Sequence, residues 1–517
     1  MPLTHNINQT CKGQHTAKNS KAIRAIFENQ IRDKENRIIL QKIARQAMLD
    51  KGFIPDFPAE VIAEINNLRN PLEDSGQIPD LRHLLWCSID NDDSRDLDQL
   101  SVAVPSDNGN IKILVAIADV DSYVKKGSAI DRHAQHNTTT VYTSAEIFSM
   151  LPEILSTDLT SLNYNTDRLA IIFEMLVAED GSVNKSDIYR GLVRNYAKLA
   201  YNSTSKWLDK TEEAPENIKQ VKGLEENIRQ QYVASLRLKK LRDSKGALKF
   251  ERIQSRPIFN GDKLEMIKVE KTNSSKEMIE NFMVSVNGIS ARYLNSKNFP
   301  SVRRVVRKPK RWNRIVEIAL AQGYTLVEEP NSKELDNFLI WAKAKNPSQF
   351  ADLSLSIIKL LGPGEYVVEI PGGESMGHFA LGVKDYSHST APNRRYPDVL
   401  TQRLLKACIA DKDIPYQAEE LMDIAQHCTE MENLSKKVER QVEKSTYIIL
   451  LEERIGEVFE AIVTGASNKA TWLRLMNPPV EGRLINPSKG IDVGDILKVR
   501  LVDTDLELSH IDFEEIN

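Results

Sequence analysis

Between Ala22 and Leu68 the apolar residues Ile23, Ile26, Ile31, Ile39, Ile43 and Met48 recur at roughly helical spacing, and IPDFP at 54–58 breaks the run. Residues three and four apart share one face of a helix, so the pattern predicts a small helical domain, with a helix-turn-helix among the forms it could take. The stretch before it, residues 1 to about 20, is polar and expected to be disordered, while NPLEDSGQIPD at 70–80 has the Pro and Gly punctuation of a boundary. Past that point the texture changes to strand-like runs, LSVAV at 100–104, IKILVAIADV at 111–120 and LAIIFEMLVA at 169–178, mixed with helical stretches to about residue 410. This mixture predicts a large α+β domain. Ala418 to Leu451 reads as a charged connecting helix with Glu432 and Lys436 one turn apart on a solvated face. From Glu453 short strands return, GEVFEAIVTG, TWLRLM, VEGRLI and VGDILKVRLVD, and that many in so short a length predict a closed barrel of OB-fold size. The expected organisation is therefore a multidomain α+β chain: helical over 1–79, the large domain over 80–410, connecting helices over 411–452 and the barrel over 453–517.

Composition narrows the class without naming it. A chain of 517 residues exceeds what one core serves and predicts two to four domains. With 41% hydrophobic and 27% charged residues it reads as an ordinary soluble protein, and a net charge of −4 gives no global pull toward polyanions. Four scattered cysteines, with no C-x-x-C pair, argue against a zinc knuckle or a disulfide framework and fit a reducing cytoplasm. The longest apolar runs, such as ILVAIA at 113–118, are of strand length, so neither a membrane span nor a secretory leader is expected. No feature fixes the oligomeric state.

Candidate chemistry concentrates in SIDNDDSRDLDQL at 88–100, where Asp90, Asp92, Asp93, Asp96 and Asp98 crowd around the single cation Arg95. A calcium loop of the EF-hand type needs Gly at its sixth position and Glu at its twelfth, and counting from Asp90 those positions hold Arg95 and Ser101. A solvated acidic loop is one reading. The other is a metal site, because the cluster is wedged between the apolar stretches LLWCSI and LSVAV, and carboxylates drawn together beside a core repel unless a cation offsets them. All-oxygen donors without His or Cys suit magnesium or manganese.

Four segments in order, SIDNDDSRDLDQL with VAIADVDSYVKKGSAID, then VYTSAEIFSMLPEILSTDLTSLN and DYSHSTAPNRRYPDVLTQRLLK, closely resemble the catalytic (RNB) domain of the ribonuclease II family. The resemblance covers about residues 80 to 410. It implies a 3′-to-5′ exoribonuclease that acts on single-stranded RNA and releases nucleoside 5′-monophosphates by metal-assisted hydrolysis. The family's metal motif has four Asp, which fall here on Asp90, Asp96, Asp98 and Gln99, so three match and the fourth is an amide. Two magnesium ions about 4 Å apart can activate a water and stabilise the leaving oxygen, which explains a site built from carboxylates. The resemblance assigns Asp90, Asp96 and Asp98, with position 99, to the metal, and gives Asp98 the further task of orienting the water.

TAPNRRYPD resembles the family's T-S-P-I-R-R-Y-P-D, whose first Arg contacts the scissile phosphate; that residue is Arg394, and Asn393 stands where Ile is common. A guanidinium can fork across two phosphate oxygens. Tyr142 and Phe250 match the pair that clamps the 3′-terminal nucleotides, Tyr201 matches a further stacking position, and Glu280 matches a carboxylate on the terminal ribose. Asn281 stands where the family has a second Glu. Stacking suits an enzyme that must advance whatever the base.

Two features outside these motifs carry expectations. SVRRVVRKPKRWNR at 301–314 has seven Lys or Arg and no acid, and is either a solvated basic surface or a place where phosphates are drawn in. The C-terminal barrel resembles the RNA-binding domain that ends these enzymes, with Phe459 and Trp472 open to a role in its core or as base platforms. Family members also carry cold-shock-like barrels ahead of the catalytic domain, and residues 1–79 are helical and too short for two. A non-catalytic RNA-binding or regulatory protein of the same fold is the alternative, and Gln99 is the feature that favours it.

Overall fold

The computed structural model describes residues 37–69, 78–251, 254–260, 263–270, 272–347, 349–373, 375–467, 470–506 and 510–516. The expected disorder at the N-terminus, the helical pattern before residue 37 and most of the 70–80 boundary lie outside them.

The centre is a six-stranded sheet in the spatial order Val183–Arg194, Asp167–Val177, Ile111–Ala118, Gln99–Val104, Cys87–Asp90 and Ala197–Ala200. Neighbours are antiparallel except the last pair, where Cys87–Asp90 runs parallel to Ala197–Ala200. Apolar runs make these strands because both faces are covered: every residue from Ile113 to Ala118 is buried. Helices Leu224–Ser244, Ser274–Ser296 and Tyr396–Ile409 share the sheet's core, which includes Trp86, Phe173, Phe282 and Tyr396. A second core joins the helices Trp312–Gln322, Ser332–Lys345 and Phe350–Leu361 around Phe338 and Phe350.

The C-terminal strands close into a five-stranded barrel, Val458–Ala466, Thr471–Leu475, Glu481–Ile485, His510–Glu515 and Ile496–Asp505. Closure leaves no free edge. Phe459 is buried in the barrel's core, whereas Trp472 is exposed and lies 5.1 Å below the Lys444 ammonium.

Three features differ from the pattern-based expectation. Residues 37–69 form a helix at 37–50 and another at Ala59–Ile65, yet among the described residues they have no core of their own. Ala44, Ala47 and Met48 pack with Val141, Phe148 and Val438, and Val61 joins the core of the large sheet. The connecting helix expected over Ala418–Leu451 is present with those bounds, 34 residues without a break, but its surroundings differ. Its supposed solvated face is also a binding face, because Glu432 takes both Lys436, at 2.5 Å, and the buried Arg304, at 2.6 and 2.8 Å.

The basic run at 301–314 is the third difference. Arg303 pairs with Glu369 and Asp385, Arg304 with Glu432, Arg307 with Glu365, Arg311 with Asp492, and Arg314 with Asp492, Asp495 and Glu317. Among the described residues only Lys308 and Lys310 of the seven lack a carboxylate partner. Arg304 lies so close to Gly364 that a Cβ there would meet its guanidinium at 2.7 Å. Arg303 and Arg304 are internal fasteners and Arg307 and Arg311 pair at the surface, so most of the run's charge is engaged within the chain, with Lys308 and Lys310 exposed. A buried guanidinium is tolerated only with a partner, and the partners of Arg303 and Arg304 lie far along the chain.

Candidate active site

The parallel pairing of Cys87–Asp90 with Ala197–Ala200 fixes the first part of the site. Asp90 is the last residue of its strand and lies opposite Ala200, and the next residue, Tyr201, opens the helix Tyr201–Leu208. One ladder register therefore sets a carboxylate beside a tyrosine. Both line a cavity of about 480 Å³.

Asp96 and Asp98 reach the same cavity from the loop that leads into Gln99–Val104. That loop is tied at both ends of Leu97: its N–H donates to Ser161 Oγ at 2.9 Å, and its carbonyl accepts from the N–H of Leu162 at 2.9 Å. The carbonyl of Asp98 accepts from Ala118 N–H at 3.0 Å, so the backbone of Asp98 is held and its side chain is aimed.

Asp98 is 4% exposed. Its Oδ1 accepts from the backbone N–H of Asn393 at 3.1 Å, and Arg394 Nε lies 3.7 Å from its Oδ2. Burial pushes its pKa up to about 7; Arg394 pulls it down, but the nearby charge of Asp96 opposes that pull. Burial raises Asp90 as well. Two carboxylates that burial makes reluctant to ionise, beside a third, form a set of hard oxygen donors short of positive charge.

Arg394 sits in the turn before the helix Tyr396–Ile409, and Asp398 shapes that turn. The fully buried Asp398 accepts from the N–H groups of Thr390 and Ala391 and from Arg395 Nη2, each at 2.8 Å. Pro397 lies in the first turn of the helix, where its missing N–H costs nothing. Arg394 is left half exposed and lines the cavity.

Tyr142 enters from a short hairpin, Val141–Tyr142 paired with Ile147–Phe148. It is 43% exposed, lines the cavity, and its hydroxyl donates to Asp96 Oδ2 at 3.4 Å. Glu280 comes from the helix Ser274–Ser296 and lies 3.5 Å from Arg242.

The structure thus brings Asp90, Asp96, Asp98, Gln99, Tyr142, Tyr201, Glu280 and Arg394 to one cavity. It does not bring Phe250, which is half-buried against the second core beside Leu248 and Phe379. The apolar helices packed there give the ring a core to lean on, so its position as a base clamp is not part of this cavity. Asn281 is likewise buried in the helix and does not line the cavity.

Other residues of the cavity carry no sequence assignment. Lys276, Glu280 and Asn287 fall at i, i+4 and i+11 on one helix, so the stripe through Glu280 could have disclosed the other two. Arg395 and Tyr386 also line the wall, both within the DYSHSTAPNRRYPD segment.

Among the described residues, no three His, Cys, Asp or Glu side chains converge on a ready-made metal cage. The donors fit the looser arrangement common for magnesium, in which one or two carboxylates hold the ion and water and phosphate oxygens complete its shell. Asp90, Asp96 and Asp98, with Gln99 Oε1 as a neutral fourth donor, are the residues that would hold it.

Residues 78–411 match the RNB domain, and residues 457–516 match the RNase II-type exonuclease C-terminal S1 domain. Ribonuclease R of Vibrio parahaemolyticus is 28% identical over 503 residues, covering 89% of this chain and 59% of that protein. Ribonuclease R of Aquifex aeolicus is 28% identical over 534 residues, 97% of this chain and 74% of that protein. The chain spans about 60% of the length of several such relatives. In fold it is similar to Mycoplasma genitalium RNase R, with a TM-score of 0.81 at 22% identity over 92% of this chain and 77% of that one. That protein has also been solved in complex with ribose methylated single-stranded RNA. The RNB match spans more than half of the chain and the S1 match falls on the closed C-terminal barrel, so the chain belongs to the RNB-domain family.

Proposed function

We propose that the chain hydrolyses single-stranded RNA from its 3′ end and releases nucleoside 5′-monophosphates, using magnesium, in a reducing cytoplasm. One observation carries this reading: carboxylates from 90–98, an arginine from 394 and tyrosines from 142 and 201 line a single cavity although they lie far apart in sequence.

Asp90, Asp96 and Asp98 hold the cation. When bound, a divalent ion of this kind lowers the pKa of a water and offsets charge on the leaving oxygen. Asp98, buried and fixed by the Asn393 N–H, orients the attacking water through the carboxylate oxygen that Arg394 approaches only at 3.7 Å. Arg394 forks across the scissile phosphate, where charge grows in the transition state. Tyr142 and Tyr201 take the terminal bases by stacking, and Glu280 accepts from the ribose 2′-hydroxyl, which disfavours DNA. Among the described residues no helix is long and apolar enough to cross a membrane. Cys87, Cys408 and Cys428 are free thiols, which suits a reducing compartment.

The test is a time course with 5′-labelled single-stranded RNA, a hairpin RNA and single-stranded DNA, each with magnesium or with EDTA. Stepwise shortening of RNA alone, abolished by EDTA, is the expected outcome. Gln99 favours a second reading, an RNA-binding protein without turnover, and tight binding with no shortening at any magnesium concentration would select it.

A further inference from the structure

Tyr142 stands on a hairpin with only two residues in each strand, too small to be stable alone. Its position is therefore imposed by what flanks it. On one side is the long helix: Glu439 accepts from the Tyr142 N–H at 3.1 Å, and the hydroxyls of Ser144 and Thr446 meet at 2.7 Å.

The other side is occupied by residues 37–58, the part of the chain to which no role has been given. Ala44, Ala47 and Met48 of the helix at 37–50 pack with Val141 and Phe148 of the hairpin. Arg45 Nη1 donates to Glu146 Oε1 at 2.8 Å, in the hairpin's own turn, while Nη2 pairs with Asp56. Its guanidinium lies 6.0 Å from the Phe148 ring. Downstream, Ile54 N–H donates to Asn137 Oδ1 at 3.0 Å and Asn137 Nδ2 returns to the Ile54 carbonyl at 2.8 Å. Asn137 ends the helix that leads into the hairpin. The segment thus grips the hairpin at its turn, at its apolar face and at the point where the chain enters it.

We propose that residues 37–58 are a positioning element for the Tyr142 platform, with Arg45 as the key positioning residue, and that this brace sets where the 3′-terminal base of a single-stranded RNA rests relative to Asp98 and Arg394. The inference rests on the proposed role of Tyr142. Arg45 touches neither the cavity nor the carboxylates in it, so it acts only through the hairpin. Half-exposed ion pairs contribute little stability. A planar guanidinium shared between two carboxylates on different segments does fix an angle, and a lysine cannot copy it.

Two measurements on the full chain test the brace. In protein labelled with 3-fluorotyrosine, the resonance of Tyr142 is identified by its loss in Tyr142→Phe. Arg45→Ala and Glu146→Gln are expected to shift or broaden that resonance while the melting temperature stays at the wild-type value, and Arg45→Lys should give a smaller change. In RNA digestion, Arg45→Ala is expected to raise KM and alter the length of the shortest product, with kcat nearly unchanged. An unmoved fluorine resonance overturns the brace whether or not the protein is active. A moved resonance with an unmoved product and KM overturns its role in placing RNA. If the wild type digests no RNA, the exonuclease reading fails, and quenching of a 3′-terminal 2-aminopurine bound to wild type and Arg45→Ala replaces the product assay; identical quenching then counts against the proposal.

Discussion

The backbone N–H of Asn393 donates to Asp98 Oδ1 at 3.1 Å, and the Asn393 side-chain oxygen accepts from Thr160 Oγ1 at 2.5 Å. One buried residue thereby links the carboxylate at the centre of the cavity to the segment after Leu159. Its amide nitrogen has no partner among the described residues. Thr160→Val should therefore cost about 1–3 kcal/mol, the usual penalty for a buried polar group left unpaired, and Thr160→Val with Asn393→Leu should recover most of it. Denaturant melts of the two single variants and the double variant measure this. Strict additivity would show that the two side chains do not communicate.

Asp98→Asn keeps the shape of the carboxylate and removes its charge, and Arg394→Ala removes the guanidinium proposed to hold the phosphate. Each should lower turnover on single-stranded RNA by roughly three orders of magnitude or more, as removal of a transition-state arginine does elsewhere. RNA binding should persist, since affinity is spread over backbone and stacking contacts. Near wild-type turnover in either variant would remove that residue from the proposed mechanism.

At position 99 the cavity presents an amide where three neighbouring donors are carboxylates. Fewer ligand charges weaken cation binding. Gln99→Asp should lower the magnesium concentration that gives half-maximal decay, and Gln99→Ala should raise it or stop turnover. Identical midpoints for the three proteins place position 99 outside the metal shell. A wild type inactive at every concentration and rescued by Gln99→Asp selects the non-catalytic reading.

Phe250 and Tyr142 offer a contrast. Because Phe250 packs against the second core, Phe250→Ala should cost stability and leave the product ladder as in the wild type. Tyr142→Ala should do the reverse, since that ring is half exposed in the cavity. Chemical denaturation and a sequencing-gel ladder, run on both variants, decide the matter; an altered ladder in Phe250→Ala would restore it to the RNA path.

Burial holds three histidines neutral: His133 and His378 are pushed down to about 4, and His388, beside Arg395 and Arg304 as well, lies well below its ordinary value. The unfolded chain takes up protons on these rings near pH 6.5 while the folded chain does not, so their contribution to stability is complete above that pH and is lost as pH falls toward 4. Melting temperature should drop between pH 7 and 5, and less steeply in His388→Gln. Parallel curves for the two proteins would mean that His388 is not among the groups responsible.

The elements of the sheet were legible because buried strands are apolar runs, and the carboxylates, Arg394 and Tyr142 were legible because they stand in ordered motifs. What pairs with what was harder to read. The partners of the basic run, Glu369, Asp385, Glu432 and Asp492, are 60 or more residues from the cations they neutralise, so local spacing could not show that the charge was already engaged. The place of Phe250 was hidden for a related reason: an aromatic ring is equally at home on a base or in a core, and local sequence does not show which helices pack around it. The helical signal before Leu68 was real over 37–50, but periodicity says nothing about which surface a helix will cover.

Asp90 and Tyr201 are joined through a single rung of backbone ladder, Asp90 opposite Ala200. On the proposed roles of Asp90 and Tyr201, the distance between phosphate chemistry and base stacking is a ruler made of main-chain hydrogen bonds. Side-chain substitution can dull either end of a ruler but cannot recalibrate it. Changing that distance through the ladder would require a slip of the strand register, and a slip of one residue would turn every buried side chain of that strand to the opposite face. The spacing of the cavity and the integrity of the core are, in this respect, the same variable.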